Sequence, residues 1–70
     1  MKKAQKAPWI DLKKLRDEHG WSQKEASDRL GFSRNYLAMV ENRKQSISKN
    51  MMYAVIEVYG VKYEDFYQDS

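Results

Sequence analysis

Near the middle of this chain a helix stop and a helix start lie almost on top of each other. Ser22-Gln23-Lys24-Glu25 has the S-x-x-E form of a capping box. In that motif the serine side chain takes an orphan N–H of the first turn and the glutamate reaches back to the cap. The helix so opened runs to about Leu30 and meets Gly31, a residue free to adopt the left-handed turn that ends helices. Ser33 then offers the next N-cap. With only Gly31 and Phe32 between the second helix and that cap, the two helices must form a tight helix-turn-helix unit. Ala26 and Ser27 are small residues on the inner face of the second helix, which lets its neighbour approach closely.

The same punctuation divides the rest of the chain. Pro8 suits the first turn of a first helix, where its missing N–H is no loss. Trp9, Leu12 and Leu15 follow at a spacing of three, with Asp11 early in the helix, and Gly20 ends it just after His19. The third helix is expected from Arg34 to Glu41 or Asn42, and the polar stretch 42–48 reads as a loop. Ser48 caps a fourth helix, from about Lys49 to Tyr59, and Gly60 stops it. Tyr63-Glu64-Asp65-Phe66-Tyr67 suits a short closing helix that lays its aromatics over the core. Strand alternation and hairpin turns are missing. The expectation is an all-α domain of about five helices spanning residues 8–70, preceded by a flexible basic tail, residues 1–7.

Composition narrows the function classes. The chain has no cysteine, so neither a disulfide staple nor a thiolate metal site can hold it together. Its longest apolar run is about six residues, far short of the ~20 that span a bilayer. The basic start MKKAQKA has no apolar segment behind it, unlike a secretory signal. A soluble, cytoplasmic protein without membrane association is expected. Charge is unevenly placed: residues 1–49 hold twelve of the 13 Lys/Arg and six of the 10 Asp/Glu, and residues 50–70 hold one lysine and four acids. The first part is therefore net basic, as a polyanion partner requires. An enzyme is not expected: there is one histidine, no Gly-rich phosphate loop and no convincing acid pair. No metal, cofactor or small-molecule substrate is expected either.

The third helix carries the sharpest signal. At ~100° per residue, Leu37 and Val40 point one way, while Asn35, Ala38, Met39 and Asn42 point the other. Arg34 lies on the flank at the helix start, from which its long side chain can swing outward. No acid lies on that outer face. Its chemistry suits a DNA major groove. Arginine can grip guanine O6 and N7, asparagine pairs bidentately with adenine, and alanine or a thioether meets a thymine methyl. The other reading of the same face is an ordinary solvated surface.

At this point Leu15-Arg16, Gly20-Trp21-Ser22-Gln23, Leu30-Gly31-Phe32-Ser33-Arg34, Tyr36-Leu37, Val40-Glu41 and Tyr59-Gly60-Val61 fall in a shared order and spacing. Residues 12–67 resemble, without a gap, the phage-repressor/Cro-like (XRE) helix-turn-helix domains. The resemblance implies a compact five-helix, lambda-repressor-like fold in which helices two and three form the DNA-binding unit. It also implies base reading by Arg34, Asn35 and Met39, with Ala38 beside them. Gln23, at the start of the second helix, would meet the phosphate backbone. Asn42, Arg43, Lys44 and Lys49 would add phosphate contacts that fix register rather than sequence. Tyr36 either donates its hydroxyl to a phosphate or lies half-buried beside the core. Lys2, Lys3 and Lys6 either run along DNA as an arm or belong to a disordered tail. Arg16 and Glu41 would pair, tying the first helix to the third. The chain departs from the family pattern at Ser27, usually Ala; at Arg43, usually Gly; at Ile47, often Pro; and at Lys62, often Ser. Asn42 is the residue expected to take the left-handed conformation in place of the missing Gly, unless the loop itself differs.

The fourth helix is apolar on more than one side. Met52, Val55, Ile56 and Tyr59 form one stripe, and Met51, Ala54, Val55 and Val58 a second beside it. A helix so apolar is either central to the core or shared with a partner. The second stripe is therefore the expected interface of a homodimer, which would place two third helices in successive major grooves of a palindromic operator. The function that follows is a sequence-specific regulator of transcription binding double-stranded DNA, most simply a small repressor or Cro-like switch of a phage, a mobile element or a bacterium. An antitoxin or a restriction–modification controller would use the same domain. A protein-interaction module that has lost DNA binding is the alternative of a different class.

Overall fold

Three serines and one aspartate start the helices. A computed structural model describes residues 8–67. It contains α1 (Leu12–His19), α2 (Gln23–Leu30), α3 (Arg34–Glu41) and α4 (Lys49–Tyr59), closed by a 3₁₀ turn at Tyr63–Tyr67. Ser22, Ser33 and Ser48 each accept the N–H three residues on, at 3.1, 3.1 and 3.2 Å. Each bond satisfies one of the orphan donors of a first turn. The basic tail, residues 1–7, lies outside the described residues.

Three expectations about these elements need correction. Pro8 is not in the first turn of α1. Asp11 is the N-cap instead, its Oδ1 accepting the N–H of Lys14 at 3.1 Å, and the Trp9 N–H is drawn away to the carbonyl of Phe66 at 2.9 Å. The fifth helix is the 3₁₀ turn, too short for an α-helical ladder and closed by Lys62 N–H on Asp65 Oδ2 at 3.0 Å. The capping box at α2 is half made. Ser22 caps, but the Glu25 carboxylate turns to Arg29 at 3.2 Å, because a guanidinium one turn along offers a charge-assisted bond.

α2 packs chiefly against α3 and α4. Leu12, Ala26, Leu30, Leu37, Val40, Met51, Met52, Val55 and Phe66 form one core, joined by Ile47 from the otherwise polar α3–α4 loop. Ser27 is buried at the α2 crossing and donates its hydroxyl to the Lys24 carbonyl at 2.9 Å, so its extra oxygen is satisfied. Met51 and Val55 are fully buried inside this core. Half of the expected dimer stripe is therefore spent within one chain, because a small domain must use its most apolar helix to close its own interior. Ala54 and Val58 stay partly exposed.

The α2–α3 turn relies on Gly31 at φ +84°. A Cβ there would meet nothing within 4 Å, so the requirement is one of backbone conformation rather than space. After α3 the left-handed position falls on Arg43, at φ +60°, and Asn42 stays at φ −91°. Arg43 N–H reaches the Val40 carbonyl at 3.0 Å and Lys44 N–H the Met39 carbonyl at 2.8 Å. These are the two bonds of a Schellman stop, here made with a side-chain-bearing residue at a strain of roughly 1–2 kcal/mol. The left-handed residue is therefore one position later than the Asn42 of the sequence reading, since the stop requires it at C′ rather than at the cap itself.

Candidate nucleic-acid interface

α3 is eight residues long and held from several sides. Its inner face buries Leu37 and Val40. Its last residue, Glu41, is where three helices meet. Arg16 of α1 grips the carboxylate with two bonds, Nε to Oε2 at 2.8 Å and Nη2 to Oε1 at 3.1 Å. The Gln23 amide, at the start of α2, donates to Oε1 at 3.0 Å. The Glu41 side chain is 3% exposed and that of Arg16 12%. The bond to Glu41 raises the pKa of the Arg16 guanidinium above its ordinary value, against an opposing effect of burial. The pair is a structural tie: it sets the tilt of α3 against α1 and α2.

On its other flank α3 is tied to the N-terminal segment and to its own following loop. The Trp9 indole N–H donates to the Val40 carbonyl at 3.2 Å, and the Arg43 guanidinium lies 3.8 Å over the Trp9 ring. Tyr36 donates its hydroxyl to the Ser46 carbonyl and accepts the Ser48 N–H, both at 3.1 Å. Its one hydroxyl hydrogen is thus used to hold the loop in which Ile47 turns inward. In this structure Tyr36 is a half-buried loop anchor, its hydroxyl hydrogen already given to the Ser46 carbonyl. Gln23 is half-buried, and part of its donor capacity goes to Glu41, leaving one amide hydrogen and the first-turn backbone N–H groups of α2 for any anion.

What remains exposed on α3 is Arg34, Asn35 and Met39, with Ala38 half-buried between them and Asn42 exposed just beyond. No acid interrupts this face. The Asn35 Nδ2 lies 3.9 Å from the Met39 sulfur, so the two side chains sit together one turn apart. Arg43, Lys44 and Lys49 are exposed in the loop and at the start of α4. The outer surface of α2 is different, since Lys24 is paired with Asp28 at 3.3 Å and Arg29 with Glu25. The structure therefore leaves the unpaired cations among the described residues of this region to Arg34 and the segment after α3.

Away from this face, His19, Trp21 and Tyr59 cluster with ring centroids 4.7 to 5.5 Å apart. Burial is the main reason the Tyr59 phenol sits above its ordinary pKa. The His19 Nδ1 faces the Leu15 carbonyl at 2.9 Å, which makes this histidine a helix-end residue. Among the described residues no group of acids and histidines could hold a metal ion, and no helix is long and apolar enough to cross a membrane.

Sequence reasoning missed Trp9 and Tyr36 as supports of α3. For Trp9 a signal was present: Asp11 three residues before Lys14 is an N-cap spacing, which would have left the tryptophan outside the helix with an indole N–H to satisfy. Nothing local marks the bond between Tyr36 and Ser46, ten residues apart.

A helix-turn-helix family matches residues 12–66 of the chain. No curated protein and no solved structure matches.

Proposed function

Because the chain belongs to the Cro/lambda-repressor-like (XRE) helix-turn-helix family, a family of DNA-binding regulators, we propose that it is a sequence-specific transcriptional repressor of the Cro type that reads the major groove with α3. One observation carries this reading: the outward side of α3 is exposed, free of carboxylates and made of Arg34, Asn35, Ala38 and Met39. Arg34 matches guanine, Asn35 adenine, and Met39 with Ala38 a thymine methyl. Asn42, Arg43, Lys44, Lys49 and the start of α2 at Gln23 supply the phosphate contacts that set register. An acid on this face would have favoured a protein-interaction module.

Selection of bound sites from a random duplex pool tests the reading, with enrichment of a short G-containing motif expected. No enrichment at low salt would overturn it. On the selected site Arg34→Ala should weaken binding by ~1–3 kcal/mol and relax one base-pair position. An equal loss on unrelated DNA would reduce Arg34 to a phosphate contact.

The repressor acts as a homodimer on a palindromic operator in this reading. Met51 and Val55 are internal, so the self-complementary patch reduces to Ala54, Val58 and their exposed neighbours, among them Tyr53, which is 57% exposed. The acidic C-terminal part then faces away from DNA. Sedimentation at micromolar concentration should give a dimer, free or on operator-length duplex, and a monomer in both states would refute the two-fold arrangement.

A further inference from the structure

We propose that Trp9 is a positioning residue for DNA binding: its indole holds the Arg43 guanidinium ready for a backbone phosphate at the foot of α3. This inference rests on the DNA-binding reading above and adds a residue to it.

Trp9 is fixed at three points. Its backbone N–H is bonded to the Phe66 carbonyl at 2.9 Å, its indole N–H to the Val40 carbonyl at 3.2 Å, and its ring lies 3.8 Å beneath the Arg43 guanidinium. The ring is therefore a rigid platform joined both to the end of α3 and to the closing 3₁₀ turn. Arg43 reaches it from a left-handed backbone, φ +60°, a conformation that a glycine would adopt without strain. A non-glycine residue in this region is uncommon and needs a compensating contact. The two bonds of the helix stop hold the backbone there, and the stack on Trp9 adds a side-chain contact that glycine would lack.

With its carbon 3.8 Å over the ring centroid, the guanidinium is covered on one side by the indole and keeps its N–H groups for partners elsewhere. Among the described residues no carboxylate or carbonyl takes any of the side-chain N–H groups of Arg43, and the residue is exposed. A second stack of this kind in the protein provides the contrast. Arg29 lies 4.4 Å over Trp21, but its guanidinium is bonded to Glu25 at 3.2 Å, so its charge is already matched. Arg43 has the platform without the acid. Asn42 and Lys44 flank it. The ligand that fits is an anion outside the protein with two acceptor oxygens, and in the DNA-bound state that is a phosphate. A flexible arginine must be ordered when it binds, whereas one already stacked loses less freedom for each bond it forms.

The salt dependence of binding to the selected duplex tests this, because each phosphate neutralised adds about one unit to the slope of log K against log salt. Trp9→Leu keeps an apolar side chain but removes the platform, and with it the indole N–H bonded to Val40. Arg43→Ala should lower the slope by about one, whereas Trp9→Leu, which leaves that charge in place, should weaken binding several-fold when Arg43 is present and add nothing to the loss in an Arg43→Ala background. Trp9→Phe keeps an aromatic face and should recover most of the affinity. A Trp9→Leu change that weakens binding as much in the Arg43→Ala background as in the unaltered protein would show that Trp9 acts through stability alone, and would overturn the proposal. A measurement on the unaltered protein guards against variants that fail to fold. The Arg43 Nε–H resonance should be ring-current shifted when free and stay so on DNA; an unshifted signal also overturns the proposal. Failure of the unaltered protein to bind any duplex removes the DNA reading itself, and that is told apart by the wild-type titration.

Discussion

Replacing Arg16 with alanine lowers the unfolding free energy by about 3 kcal/mol, the lower part of the range for breaking a buried ion pair from one side. The carboxylate of Glu41 is nearly inaccessible and accepts two bonds from Arg16 and one from Gln23. Without the guanidinium a buried charge keeps only an amide donor. A chain this size is stable by about 4–10 kcal/mol, so the loss is a large share of the total. Arg16→Ala with Glu41→Leu should recover at least half of it, since the double change leaves no orphaned charge. Equilibrium urea denaturation decides. A loss below about 1 kcal/mol for Arg16→Ala would place this pair with exposed ones such as Lys24–Asp28, whose removal should change stability by only a few tenths. Because the same pair sets the tilt of α3, DNA affinity of the folded fraction should fall as well.

Phe66→Ala should be at least as damaging, at about 3–5 kcal/mol. Phe66 is among the largest of the fully buried side chains, yet it sits in a five-residue 3₁₀ turn near the end of the chain. Its ring fills the core, and its carbonyl holds the Trp9 N–H. The two ends of the domain therefore close on each other through this residue. Phe66→Leu, which keeps much of the volume, should cost only about 1 kcal/mol. Thermal unfolding followed by circular dichroism measures both. If Phe66→Ala melts within a few degrees of the unaltered protein, the closing turn is an appendage and not part of the core.

The spans of the second, third and fourth helices were legible without coordinates. Ser22, Ser33 and Ser48 each bond three residues ahead, and Gly31 and Gly60 take positive φ. The outward side of α3 was legible too, because an eight-residue helix with Leu37 and Val40 inside leaves Arg34, Asn35 and Met39 outside. α1 was misread at its start, where spacing of apolar residues and an aspartate cap gave conflicting signals. The apolar stripe through Met51 and Val55 was real, but its destination was ambiguous. Periodicity marks a face as apolar and says nothing of whether the covering surface comes from the same chain or another.

Local chemistry was thus enough for helix starts, helix stops and the character of the reading face, since those depend on groups within a turn of one another. The supports of that face join residues far apart in the chain: Arg16 with Glu41, at a separation of 25, was expected only through the family resemblance, and Trp9 with Val40, at 31, had no such pointer. Such contacts depend on how four short rods settle together. Capping and helical spacing leave open whether Arg43 lands on an indole or whether Tyr36 spends its hydroxyl on a loop, because both are settled by the shared burial of a core drawn from every helix.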